Sequence, residues 1–102
     1  MKQKLVLILL LVAPILAIGQ KAITTPTVVE ASCGQCQFGK KGKGCDLAIR
    51  YHGKTYFVEG ANIDAHGDAH AKDGFCNAVR KAQVTGKFKR KRFFADSFKL
   101  LN

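Results

Sequence analysis

The opening residues decide how much chain is left to fold. Lys2 and Lys4 make a short positive start, and Leu5 to Ile18 is then apolar apart from Pro14. Ala17-Ile18-Gly19 sets small residues at the −3 and −1 positions of a cut before Gln20. Positive start, apolar core and small-residue site form the order of a secretory signal peptide. The rival readings are an uncleaved anchor and a buried helix, but a spanning helix needs about 20 apolar residues. No cysteine stands at the cut, so a lipid-modified N-terminus does not fit.

Removing nineteen residues from 102 leaves 83. That is one domain. A domain of this size buries only about 60–65% of its unfolded surface and is marginally stable without help. Disulfides or a metal ion commonly supply the difference. The chain holds four cysteines, and an exported chain meets an oxidising destination. The expected home is the periplasm or the outside of the cell. Membrane contact is expected only through an uncleaved signal. The expected divisions are signal peptide 1–19, linker 20–27 and one domain, 28–102.

Hydrophobic patterning predicts the elements. Val28 and Val29 open a first strand running into Cys33, and a loop of glycines and lysines follows to Gly44. Leu47, Ile49 and Tyr51 alternate with polar or small residues from Cys45 on, the period of a half-buried strand. His52-Gly53 separates this run from Lys54–Val58, so the two read as a hairpin. Glu59 to Lys72 reads as a loop or a loose helical turn. Asp73 reads as an N-cap, with Phe75, Cys76, Val79 and Ala82 on one stripe of a two-turn helix. Val84, Gly86 and Phe88 mark a fourth strand, Lys89 to Arg92 a turn, and Phe93 to Leu101 a fifth strand. The order β-β-β-α-β-β predicts an α+β, mainly β fold: a small, partly open OB-like barrel, with the helix plugging one end through Phe75 and Val79. An open α+β sandwich is the alternative.

Three groups of residues carry chemistry. Cys33-Gly34-Gln35-Cys36 is a C-x-x-C pair. As a redox dithiol it needs its first cysteine at a helix N-terminus, and here the pair enters a glycine-lysine loop. As half of a zinc site it needs a second close pair, whereas Cys45 and Cys76 are far apart in sequence. Cys33, Cys36, Cys45 and Cys76 can still meet in space, as four ligands or as two disulfides, and sequence does not choose among the three connectivities. Zinc or copper suits such donors.

Asp64 to Cys76 forms the second group. His66 and His70 stand at i, i+4, and with Cys76 they offer a three-ligand site, with Asp64 and Asp68 as carboxylates to orient the imidazoles. Against this, Asp, His and Gly are ordinary surface-loop residues. The third group, Lys89, Arg90, Lys91 and Arg92, lies among Phe88, Phe93 and Phe94. Aromatics among cations resemble a single-strand nucleic-acid surface, but export argues against nucleic acid. Anionic polysaccharide is the compartment-compatible partner; a solvated hairpin tip that blocks edge pairing is the plainer reading. Lys40, Lys41 and Lys43 would join this field only if the two loops are close. The net charge behind the signal is +8, the chain's +10 less Lys2 and Lys4.

No nucleophile with base and orienter stands out, and the glycines of Gly39 to Gly44 precede a strand, not the helix a phosphate loop requires. The expected function is a non-enzymatic binding module, possible partners being a transition metal or a polyanion; a periplasmic thiol redox protein and a structural surface domain are the alternatives. The motifs Cys33-Gly34-Gln35-Cys36, Gly42-Lys43-Gly44-Cys45-Asp46-Leu47, His66-Gly67-Asp68-Ala69-His70 and Gly74-Phe75-Cys76 together resemble a family of small, uncharacterised secreted bacterial proteins of the Bacteroidetes type. The resemblance spans Ala31 to Leu101. It implies a Gram-negative periplasmic home and brings no mechanism with it. The Lys89–Arg92 turn lies outside those motifs.

Overall fold

The computed structural model describes residues 21–102. The signal-peptide reading of 1–19 lies outside the described residues. Among those described, no helix is long and apolar enough to cross a membrane.

Five strands close into a barrel in the order β1-β2-β3-β5-β4. They are β1 (Ala22–Cys33), β2 (Leu47–Tyr51), β3 (Lys54–Glu59), β4 (Arg80–Lys89) and β5 (Arg92–Leu101), and one short helix, α1 (Gly34–Gln37), follows β1. The mainly β, OB-like class holds. The barrel is fully closed where a partly open one was expected. Long, curved β1 reaches both β2 and β4, while β3 pairs in parallel with β5 through Phe57↔Arg92 to Glu59↔Phe94. Closure leaves no free sheet edge among these strands.

β1 begins at Ala22, inside the stretch read as linker. Pro26 masked this, because proline cannot donate to a ladder. The register slips between Ile23 and Thr27, and that irregularity accommodates Pro26. The His52-Gly53 hairpin is as expected: both residues have positive φ, 50° and 79°, the type I′ geometry of a two-residue turn. The β4–β5 turn is tighter than the four residues foreseen. Lys89 pairs with Arg92, so only Arg90 and Lys91 turn the chain, at φ 53° and 66°. The left-handed region costs an ordinary L-residue roughly 1–2 kcal/mol. Asn-Gly is the usual choice at such a turn.

The expected helix at 73–82 does not form. Ala82, Val84, Gly86 and Phe88 instead face the core as alternate residues of β4. The stripe Phe75-Val79-Ala82 matched a helical period by coincidence. A two-turn helix has little stability of its own, whereas β4 gains ladders on both sides, with β1 and with β5. The plug is therefore Phe75 alone: it is buried in the core, while Val79 is exposed. Ile49, Val84 and Phe93 are fully enclosed beside it, and Phe93 packs on Phe88 with ring centroids 4.9 Å apart.

Candidate metal centre

All four cysteines meet at one end of the barrel. Their Sγ atoms lie within 4.8 Å of one another, and all four thiols are free. Cys33 is the last residue of β1 and is fully buried; Cys36 is exposed; Cys45, just ahead of β2, and Cys76, in the loop before β4, are half-buried.

The backbone assembles this group without help from sulfur. Cys33 N–H donates to Phe75 O at 3.0 Å, which joins the end of β1 to the loop carrying Cys76. Gly34 N–H donates to Asp46 O at 2.8 Å, which joins α1 to the residue after Cys45. Cys76 N–H donates to Ala69 O at 2.9 Å and anchors the loop from its other side. Gly34 permits the close approach: a Cβ there would lie 2.6 Å from Phe57 Cε1 and 3.2 Å from Ala48 Cβ.

Side chains complete the frame. Gln35 Nε2 donates to Asp46 Oδ2 at 2.7 Å, and Asp46 N–H donates back to Gln35 Oε1 at 2.9 Å. Gln37 Nε2 donates to Cys76 O at 2.9 Å. Buried Ser32 sets its Oγ 2.5 Å from Phe75 O and 2.7 Å from Ala78 O, with one proton to share between them. Sequence reasoning missed Ser32, Gln35, Gln37 and Asp46. The available signal was position alone: each is a polar residue within one place of a cysteine.

The thiols are unequal. Burial pushes the Cys33 thiol up, but hydrogen bonds from Cys45, the Cys36 N–H and side chain, and Gln35 outweigh it and hold Cys33 below the usual value. Its hydrogen bond to Cys33 pushes Cys36 up to about 11, with burial and the nearby Cys33 charge adding. Burial, then contact with Cys33 and Cys76, pushes Cys45 far up. Protons are thus shared unevenly around one cluster.

That pattern bears on the redox reading. The C-x-x-C pair was expected in a loop with no helix, yet Cys33 is the N-cap of α1 and its Sγ accepts from the Cys36 N–H at 3.4 Å. A lowered thiol suits a nucleophile. Access does not: the lowered thiol is the buried one, and the exposed thiol is the raised one. An attacking cysteine needs both properties in one residue.

The histidines do not join the cluster. Among the described residues, the four cysteines form the only group of potential ligands at metal-binding spacing. The segment 64–72 contains turns and bends rather than the helix that would set His66 and His70 on one face. His66 packs against Phe98, centroids 5.0 Å apart, and lies edge-on to Phe75. His70 is exposed, with its Nδ1 3.9 Å from Asp68 Oδ1. Asp68 accepts from the His70 backbone N–H at 2.9 Å, and exposed Asp64 donates its own N–H to Asn62 Oδ1 at 2.8 Å. Both carboxylate residues thus shape the loop.

A family model matches residues 27–101. The chain belongs to DUF6370, a family of unknown function. No curated protein and no solved structure matches it. The DUF6370 match takes in all five strands save the first residues of β1, and it includes all four cysteines.

Four cysteines so spaced can take a metal ion or close as disulfides. In either state Gln35 holds α1 against the Cys45 segment. Partners of this outer kind typically carry 10–100-fold in metal affinity. If the cluster holds a metal ion, Gln35→Ala in the DUF6370 domain is therefore expected to weaken that binding by about 10–100-fold while the far-ultraviolet circular dichroism stays that of the parent.

Proposed function

We propose that this protein is a non-enzymatic, exported module that holds a single zinc ion through Cys33, Cys36, Cys45 and Cys76. The observation that carries the reading is the mutual spacing of the four sulfurs, all within 4.8 Å. Zinc takes four thiolates tetrahedrally at about 2.3 Å, which sets sulfurs about 3.8 Å apart. With every pair within 4.8 Å, no sulfur needs to approach another by more than about 1 Å. A disulfide joins two sulfurs at about 2.05 Å, whereas one tetrahedral ion uses all four of the gathered cysteines, each of them a free thiol. A cluster of several irons spreads its thiolates around a larger body than one ion, so the spacing favours a single ion. Copper is the competing metal, because thiolates are soft donors.

Four protein thiolates leave no open position on the ion. Closed sites are structural, whereas catalytic zinc keeps a place for water or substrate. The ion would tie α1, the Cys45 segment and the Cys76 loop to the end of β1. Export is supported by the order of residues 1–19.

Titration of the reduced mature protein with zinc tests the reading. The expected result is one equivalent bound, with protons released from at least Cys36 and Cys45, whose thiols are held above the usual value. Protons bind the empty site and not the loaded one, so affinity is expected to rise with pH and to fall as pH drops. Cobalt substitution is expected to give the intense thiolate-to-metal absorption of a four-sulfur site. Absence of uptake under reducing conditions would remove the proposal.

A further inference from the structure

The opposite end of the barrel carries a second site. The β2–β3 and β4–β5 turns and the start of β1 frame an open cavity of about 720 Å³. Six cations line it: Lys21, Lys40, Lys54, Lys89, Arg90 and Lys91. No carboxylate is among its lining residues, and none of the six forms an ion pair among the described residues. The chain behind the signal has fifteen lysines and arginines, so two-fifths of them converge here.

Lys40 comes from the glycine-rich loop, far from the others in sequence. Its ammonium lies 3.3 Å from Thr55 O and 4.8 Å from the Phe57 ring centroid, which pins the loop's charge beside the hairpin's. Arg92 stands apart: its guanidinium is held on Glu59 and above Phe57. The basic run 89–92 therefore divides, three residues on the cavity and one spent on structure.

The β4–β5 turn supplies an independent observation. Arg90 and Lys91 both sit in the left-handed region, where glycine or asparagine would be relaxed. Backbone strain of this kind collects at binding sites. Here it holds two cations on the cavity wall.

We propose that this cavity binds an anionic glycan, a sugar chain bearing carboxylate or sulfate groups. The lining favours that chemistry over other polyanions. Nucleic-acid bases need open aromatic faces; Phe88 is buried, and Tyr56 packs against it with centroids 4.6 Å apart. An acidic peptide added as a strand needs a free sheet edge, and the barrel is closed. Insertion into a membrane surface needs apolar side chains at the tip, and the two turns offer His52-Gly53 and Arg90-Lys91. A sugar acid meets the lysines with its charges and Thr55 and Tyr56 with its hydroxyls.

The test uses the mature protein, zinc-loaded and zinc-free, with a heparin hexasaccharide as probe and maltohexaose, dT12 and phosphatidylglycerol vesicles beside it. Expected are hexasaccharide binding that weakens steeply with salt, the same affinity with and without zinc, and no maltohexaose binding. The double variant Arg90→Asn/Lys91→Gly relaxes the turn while removing two charges. It is expected to melt at least about 4 °C higher, to bind at least tenfold more weakly, and to lose about two from the log–log salt slope. Tighter binding of dT12 or of vesicles than of the hexasaccharide overturns the proposal. So does unchanged affinity in the double variant, or no hexasaccharide binding at low salt.

Discussion

Chelation of the zinc-loaded protein is expected to lower its melting temperature by about 15 °C or more without unfolding it at room temperature. An ion at a thousandfold its dissociation constant stabilises the native state by about 4 kcal/mol. In a domain of this size each kcal/mol moves the midpoint by about 4–8 °C. The barrel is expected to survive because its core does not depend on the sulfurs alone. Ile49, Val84 and Phe93 are enclosed, and the cysteine segments are already joined by the Cys33–Phe75 and Gly34–Asp46 backbone hydrogen bonds. Differential scanning calorimetry before and after dialysis against chelator, under reductant, measures the effect. A midpoint that does not move would show that no ion stabilises this end of the barrel.

Cys36→Ser is expected to cost more zinc affinity than the 10–100-fold typical of an outer partner, because it removes a ligand itself. Cys36 is the informative position. It is exposed, so its replacement leaves the core intact, whereas Cys33→Ser would set a hydroxyl in a fully enclosed place. The same variant separates an ion from a pair of bridges. With one ion at the centre, Cys36→Ser, Cys45→Ser and Cys76→Ser each weaken binding, and no two of them form a privileged pair. With two disulfides, each variant releases one defined partner to alkylation, and the double replacement of two partners is no worse than either single one. Competitive zinc titration and intact mass after alkylation, on the same samples, read both outcomes.

Some of this architecture was written locally. The β2–β3 hairpin follows from alternation around His52-Gly53, where neighbours in sequence are neighbours in space. The alternation of Val84, Gly86 and Phe88 likewise marked β4, though not its true start at Arg80. The stretch 73–82 was misread because a few apolar residues fit two periods equally well. What decided it was the ladders that β1 and β5 offer to β4, and these are invisible in the stretch itself. Pro26 misled in the opposite sense, since one register slip absorbs it.

The sites divide along the same line. Residue chemistry by itself marked the four cysteines as a group and the basic turn as a charged tip, because thiols and ammonium groups announce what they can bind wherever they stand. It also suggested His66 and His70, which the loop's turns keep out of the cluster. Only the closed barrel brings Cys45 and Cys76 to the C-x-x-C pair at one end and lays Lys40 beside Arg90 and Lys91 at the other. The physical reason is range. Side-chain chemistry belongs to single residues, but a distance between sulfurs or between ammonium groups is set by strand pairing across the whole chain, where β1 must meet both β2 and β4 before either site exists.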